Sequence, residues 1–157
     1  MSTRAIQLLR KRKIPHEVVT YDHQVKGAAF AAQATNFPLG RTVKTIVVAT
    51  GDAEYCLALA PGDRQVSLKK LAKVLSLKKV AMASEKDAEK ITGYLIGGIS
   101  PFGTRRSVPV IMEEDLIRFD QVLINAGQRG TMLKMDPAVI AQTLNCITAS
   151  ITDPVSG

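Results

Sequence analysis

The chain has 157 residues, enough for one domain with a substantial core, and its 46% hydrophobic and 22% charged residues make an ordinary globular balance. The formal net charge of +7 suits a phosphate-bearing partner and a merely basic surface about equally. Aromatics at 4% with no Trp argue against serial base stacking, no apolar run reaches membrane-spanning length, and Cys56 and Cys146 have no metal or redox spacing.

Both cysteines lie in apolar runs, which predicts buried, reduced thiols and a cytoplasmic protein. Ser2 or Thr3 caps a first helix over residues 4–11, with Ile6, Leu8 and Leu9 on its apolar face and a basic last turn. Pro15 stops it. Residues 17–21 read as a strand that leads into the polar corner of Tyr21, Asp22 and His23. The alanine-rich stretch 27–36 reads as a helix, broken by residues 37–41.

Residues 43–50 form a strong strand with Lys44 embedded in it, and residues 55–60 return as its hairpin partner. Residues 61–64 read as a loop, and Ser67 caps a helix running to Leu75. A short strand at 80–83 precedes a helix over 85–91, capped by Ser84 and ended by Gly93. Strands follow at 108–112, 121–125 and 131–134, with a turn or short helix over 113–119. Asp136 and Pro137 open a helix to Leu144, and residues 147–151 form a last strand. Residues 152–157 read as a frayed tail. The sum is a mixed α/β (α+β) domain of about seven strands and four or five helices. No GxGxxG or P-loop unit is present.

Strand alternation puts Lys44, Ile46 and Val48 on one face and Val43, Thr45 and Val47 on the other. A lysine there either snorkels to solvent or presents an ammonium to a carboxylate or phosphate in a pocket. Residues 92–109 hold Gly97 and Gly98, then Ile99, Ser100 and Pro101, a segment whose backbone N–H groups can cradle an anion or a carbonyl oxygen. The plainer reading is a tight turn. Residues 126–130 are a second glycine-rich loop. Arg105, Arg106 and Arg129 would form one basic rim if the two loops meet; otherwise they are solvated. Ser100 lacks a nucleophile elbow, and the two histidines support no zinc site.

These residues together resemble the YbaK/EbsC family: the segment 92–103, Arg105 and Arg106, the strand around Lys44 and Thr45, residues 126–130, and the start from Thr20 to His23. The family comprises trans-editing deacylases of misacylated tRNA, related to the editing domain of bacterial prolyl-tRNA synthetases. The resemblance implies one YbaK-like domain over 1–152, with a barrel-like sheet and a flexible tail over 153–157. It implies hydrolysis of the ester on a mischarged tRNA, with Cys-tRNA(Pro) first and Ala-tRNA(Pro) as an alternative substrate. A non-catalytic tRNA- or synthetase-binding module is the alternative of another class. Lys44, Gly97, Gly98 and Ser100 are expected to act in catalysis. Tyr21, Ile99, Pro101, Gly127, Arg129 and Gly130 are expected to line the same pocket. No metal, cofactor or protein nucleophile is expected. The expected partners are the acceptor end of mischarged tRNA and prolyl-tRNA synthetase. Some members carry an acid soon after the second glycine loop, whereas here Gly130 leads to Thr131, Met132, Leu133 and Lys134, and Asp136 reads as a helix cap.

Overall fold

The computed structural model describes residues 2–21 and 35–155. The expected polar corner at Asp22 and His23, and most of the expected helix over 27–36, lie outside the described residues. The helices are α1 (Arg4–Lys11), α2 (Leu68–Val74), α3 (Glu85–Thr92) and α4 (Pro137–Leu144). Each begins where the sequence offers a cap. The side chains of Thr3, Ser67, Ser84 and Asp136 accept from Ile6, Lys70, Asp87 and Ala138 N–H, satisfying donors that a helix start otherwise leaves open. Gly93 ends α3 in the left-handed region, φ 79°. Among the described residues no helix is long and apolar enough to cross a membrane.

Ten strands are described: β1 (Glu17–Thr20), β2 (Thr42–Gly51), β3 (Glu54–Pro61), β4 (Arg64–Val66), β5 (Ala81–Met82), β6 (Val110–Glu113), β7 (Val122–Gln128), β8 (Thr131–Met135), β9 (Ile147–Ala149) and β10 (Thr152–Pro154). The main sheet runs β1-β8-β7-β2-β3-β6-β9, with β5 also paired to β2. Pairing is mixed: β2 is antiparallel to β3 and β5 but parallel to β7. This is the mixed α+β domain that the element order implies.

The alternation along β2 and β3 sorts the core into layers on either face of the sheet. Val43, Val47, Leu57 and Leu59 join α1, α4, Phe102 and Tyr94 in the larger cluster. Val48, Cys56 and Ala58 join Leu71 and Ala72 of α2 in a second one. Burial pushes the Cys56 thiol up to about 11 and the half-buried Cys146 thiol to about 12.

Two strands escape the sequence pattern. β4 starts at the last residue of an expected loop, Arg64, and runs to Val66, where no element is expected; β10 takes up the start of the expected tail and pairs antiparallel to β4. The tail is tied down by side chains from elsewhere. Glu113, 1% exposed, accepts from Ile151 N, Thr152 N and Thr152 Oγ1 on one oxygen and from Asp115 N on the other. Lys70 donates to the Thr152 carbonyl and pairs with Asp153 at 2.8 Å. Residues 126–130 differ too. They are the turn end of the β7–β8 hairpin, with a register shift between Asn125 and Gln128. Gly127 and Gly130 permit this with φ of 101° and 88°.

Candidate active site

β2 shares one edge between two partners. β7 pairs with it only at Thr42 and Val43, and β5 only at Val48 and Ala49. In a strand, successive residues point their N–H and C=O to opposite edges. The Thr42 carbonyl accepts from Gly62 on the β3 side, and the Val47 carbonyl accepts from Ala83 on the other side. Thr45 therefore turns its N–H and C=O into the interval that β7 and β5 leave open. The Thr45 hydroxyl, buried, has no hydrogen-bond partner among the described residues.

A cavity of ≈ 350 Å³ fills this interval. Its floor is residues 43–47 of β2; Met82 comes from β5, Ala83 from the link after it, and Glu85 and Ala88 from α3. Tyr21, Ile96, Gly97, Ile99, Asn125 and Met132 complete the described lining. Lys44 is here, its amine donating to the Arg64 carbonyl. Burial lowers its pKa below the ordinary lysine value, and the nearby Asp63 carboxylate offsets part of that shift. Tyr21 is positioned by its N–H, which donates to the Gly130 carbonyl at 2.9 Å.

The two glycine segments do meet, but not as facing walls of one cavity. A Cβ on Gly98 would stand 3.0 Å from Arg129 N and 3.1 Å from Gln128 Cα, so the two backbones touch directly. Asn125 ties them together. Its Nδ2 donates to the Gly97 carbonyl at 3.2 Å, and its Oδ1 accepts from Gly127 N at 2.7 Å. Behind this seam is a second cavity of ≈ 380 Å³, lined by Gly98, Gly127 and Arg129 among others. Of the expected site residues, Tyr21, Lys44, Gly97 and Ile99 thus share the first cavity, and Gly98, Gly127 and Arg129 the second.

Ser100, Pro101 and Gly130 are buried and line neither cavity. Ser100 is 0% exposed, and its hydroxyl accepts from Phe102 N at 3.3 Å within the turn. The basic rim does not form as one unit. Arg106 lies over the Tyr55 ring, and the Arg105 and Arg106 amides donate to the last turn of α3.

Sequence reasoning missed Asn125, Thr45 and Glu85. Asn125 precedes the glycine segment, a hint of a side chain that bonds local backbone. Thr45 is marked only by its place beside Lys44 in the family-like strand and Glu85 not at all, because only the tertiary arrangement brings them to a cavity.

Residues 22–143 match the family model described as an aminoacyl-tRNA editing domain. A relative from Enterococcus faecalis, EbsC, named as a candidate Cys-tRNA(Pro)/Cys-tRNA(Cys) deacylase, is 32% identical over 96% of this chain and 93% of its own. An Escherichia coli relative, the multifunctional Ser/Thr-tRNA deacylase ProXp-y, is 28% identical over 89% of this chain and 82% of its own. The fold is shared with a solved structure described as a candidate trans-editing enzyme for prolyl tRNA synthetase: TM-score 0.88, 24% identity, 98% of this chain and 99% of that one. The chain carrying this split-edge cavity and its glycine seam belongs to the aminoacyl-tRNA editing domain family.

Proposed function

We propose that this protein is a trans-editing deacylase that hydrolyses the ester of a mischarged tRNA, with Cys-tRNA(Pro) as its first substrate. The observation that carries the reading is the cavity at the open edge of β2, where Lys44, the Thr45 backbone and the Gly97 segment converge. An aminoacyl ester needs hydrogen-bond donors for the oxyanion that develops on its carbonyl oxygen. The Thr45 N–H and hydroxyl and the Lys44 amine are among the donors that the cavity offers. Lys44 reaches substrate by exchanging its bond to the Arg64 carbonyl, and its lowered pKa eases proton transfer to the departing ribose oxygen.

Among the described lining residues there is no cysteine, serine or histidine. The nucleophile in this reading comes from the substrate: its own thiol, or a ribose hydroxyl that directs water. With cysteine, the thiol gives its proton to solvent and the thiolate attacks the ester carbonyl; the carbonyl electrons move to oxygen, collapse expels the ribose 3′ oxygen, which takes a proton from Lys44, and water then opens the resulting cyclic thioester to free cysteine. Holding thiol and ester together supplies much of the rate. Prolyl-tRNA synthetase, source of the mischarged tRNA, is the proposed protein partner.

The likeness to a Ser/Thr-tRNA deacylase favours a second aminoacyl preference. Purified protein incubated with Cys-tRNA(Pro), Ala-tRNA(Pro), Pro-tRNA(Pro), Ser-tRNA and Thr-tRNA separates these. Release of cysteine fastest supports the first reading; fastest release of serine or threonine supports the second. No release above buffer removes the enzyme reading altogether and leaves a binding module.

A further inference from the structure

The second cavity lies one peptide away from the first. Gly97 lines one and Gly98 the other, and Ile96 lines both. Consecutive Cα atoms are about 3.8 Å apart, so a ligand that fills both cavities must be chain-like. The eight residues around the second cavity include one cation, Arg129, and no acid. Glu89 approaches from behind, with its carboxylate accepting from Ile96 N at 2.8 Å. Leu95 stands at the cavity with 74% of its surface exposed, an apolar side chain without cover. Tyr94 and Gly127 form another part of the lining. The Tyr94 ring edge meets Gly127 so closely that a Cβ there would stand 2.6 Å from it. Arg4 holds that ring from its face, 5.1 Å from the centroid.

We propose that this cavity is a subsite for the nucleotide preceding the esterified adenosine, with its base against Leu95 and the Gly98–Gly127 seam, its edge on Gln128, and its phosphate on Arg129. The assignment rests on the deacylase reading above, which puts the aminoacyl ester in the first cavity. Flat apolar surfaces accept any base face, and an exposed guanidinium suits a phosphate.

Leu95→Asp and Arg129→Ala test it, because both side chains are exposed and their loss leaves the core intact. Each variant is assayed on the aminoacyl-tRNA that wild type hydrolyses best and on the matching 3′-aminoacyl-adenosine, which lacks the preceding nucleotide. Leu95→Asp is expected to lower kcat/KM on the tRNA by about tenfold and to leave the nucleoside ester within about twofold of wild type. Equal losses on both substrates, or no loss on the tRNA, overturn the subsite while leaving deacylation itself standing. Binding of the uncharged trinucleotide CCA and of adenosine, followed by NMR titration, gives a readout that needs no turnover. Tighter binding of the trinucleotide, with the margin abolished in Leu95→Asp, supports the subsite even if no ester is cleaved. Equal affinity for the two ligands overturns it.

Discussion

At the scale of single residues, Lys44 and Asn125 divide the work of the cavity. Lys44 is held partly out of water, and burial lowers its pKa below 10.5. The unfolded chain therefore keeps this proton to higher pH than the folded one, so folded stability rises as pH climbs from the folded pKa toward 10.5. At pH 7 the charged amine carries its full desolvation penalty. Lys44→Met is expected to cut deacylation about a hundredfold or more while melting no lower than wild type at pH 7. Its relative advantage should shrink in melts toward pH 10.5; a growing advantage would mean that burial does not lower the Lys44 pKa. Asn125 never needs to touch substrate. With Asn125→Ala the Gly97 carbonyl and the Gly127 N–H lose their shared partner. A destabilisation of about 1–3 kcal/mol follows, together with a fall in kcat larger than any change in KM. Urea melts read the first, and steady-state kinetics the second.

At the scale of elements, the glycine seam is a contact between backbones rather than between side chains. Ser100 contributes one hydrogen bond inside its turn, and Ser100→Ala is expected to keep activity within about threefold of wild type. Gly98→Val must push residues 128 and 129 aside, and should cost several-fold more activity and about 1–3 kcal/mol of stability. Paired melts and assays of the two variants decide the order. This element was half legible in advance. Glycine pairs and the embedded lysine are marked by local chemistry, and the caps at Ser67, Ser84 and Asp136 follow from the same rules. The seam itself depends on how β7 is placed against residues 95–98, which no local rule carries. β4 and β10 were hidden for a similar reason: each is three residues long, and Glu113, remote in sequence, fixes the second. Glu113→Ala would strand four donors, so a loss of about 3 kcal/mol or more is expected, with β10 proteolysed before the main sheet. Uniform cleavage along the chain would show that the carboxylate does not hold that strand.

At the scale of the whole molecule, the two layers follow from hydrophobic alternation along β2 and β3. Among the described residues, the sheet nonetheless does not close along β2 between its pairings with β7 and β5. A missing rung in the middle of a cooperative structure makes occupancy and heat resistance the same question. Whatever completes that rung binds the folded chain alone, and so stabilises all of it. An unreactive mimic, 3′-aminoacylamino-3′-deoxyadenosine, at a hundredfold excess over its Kd should add about 2.7 kcal/mol and raise Tm by roughly 5–10 °C. An unchanged melting curve at that excess would mean that the mimic does not favour the folded chain over the unfolded one. In the proposed reading, substrate binding at this gap is also a gain in heat resistance, lost again on release.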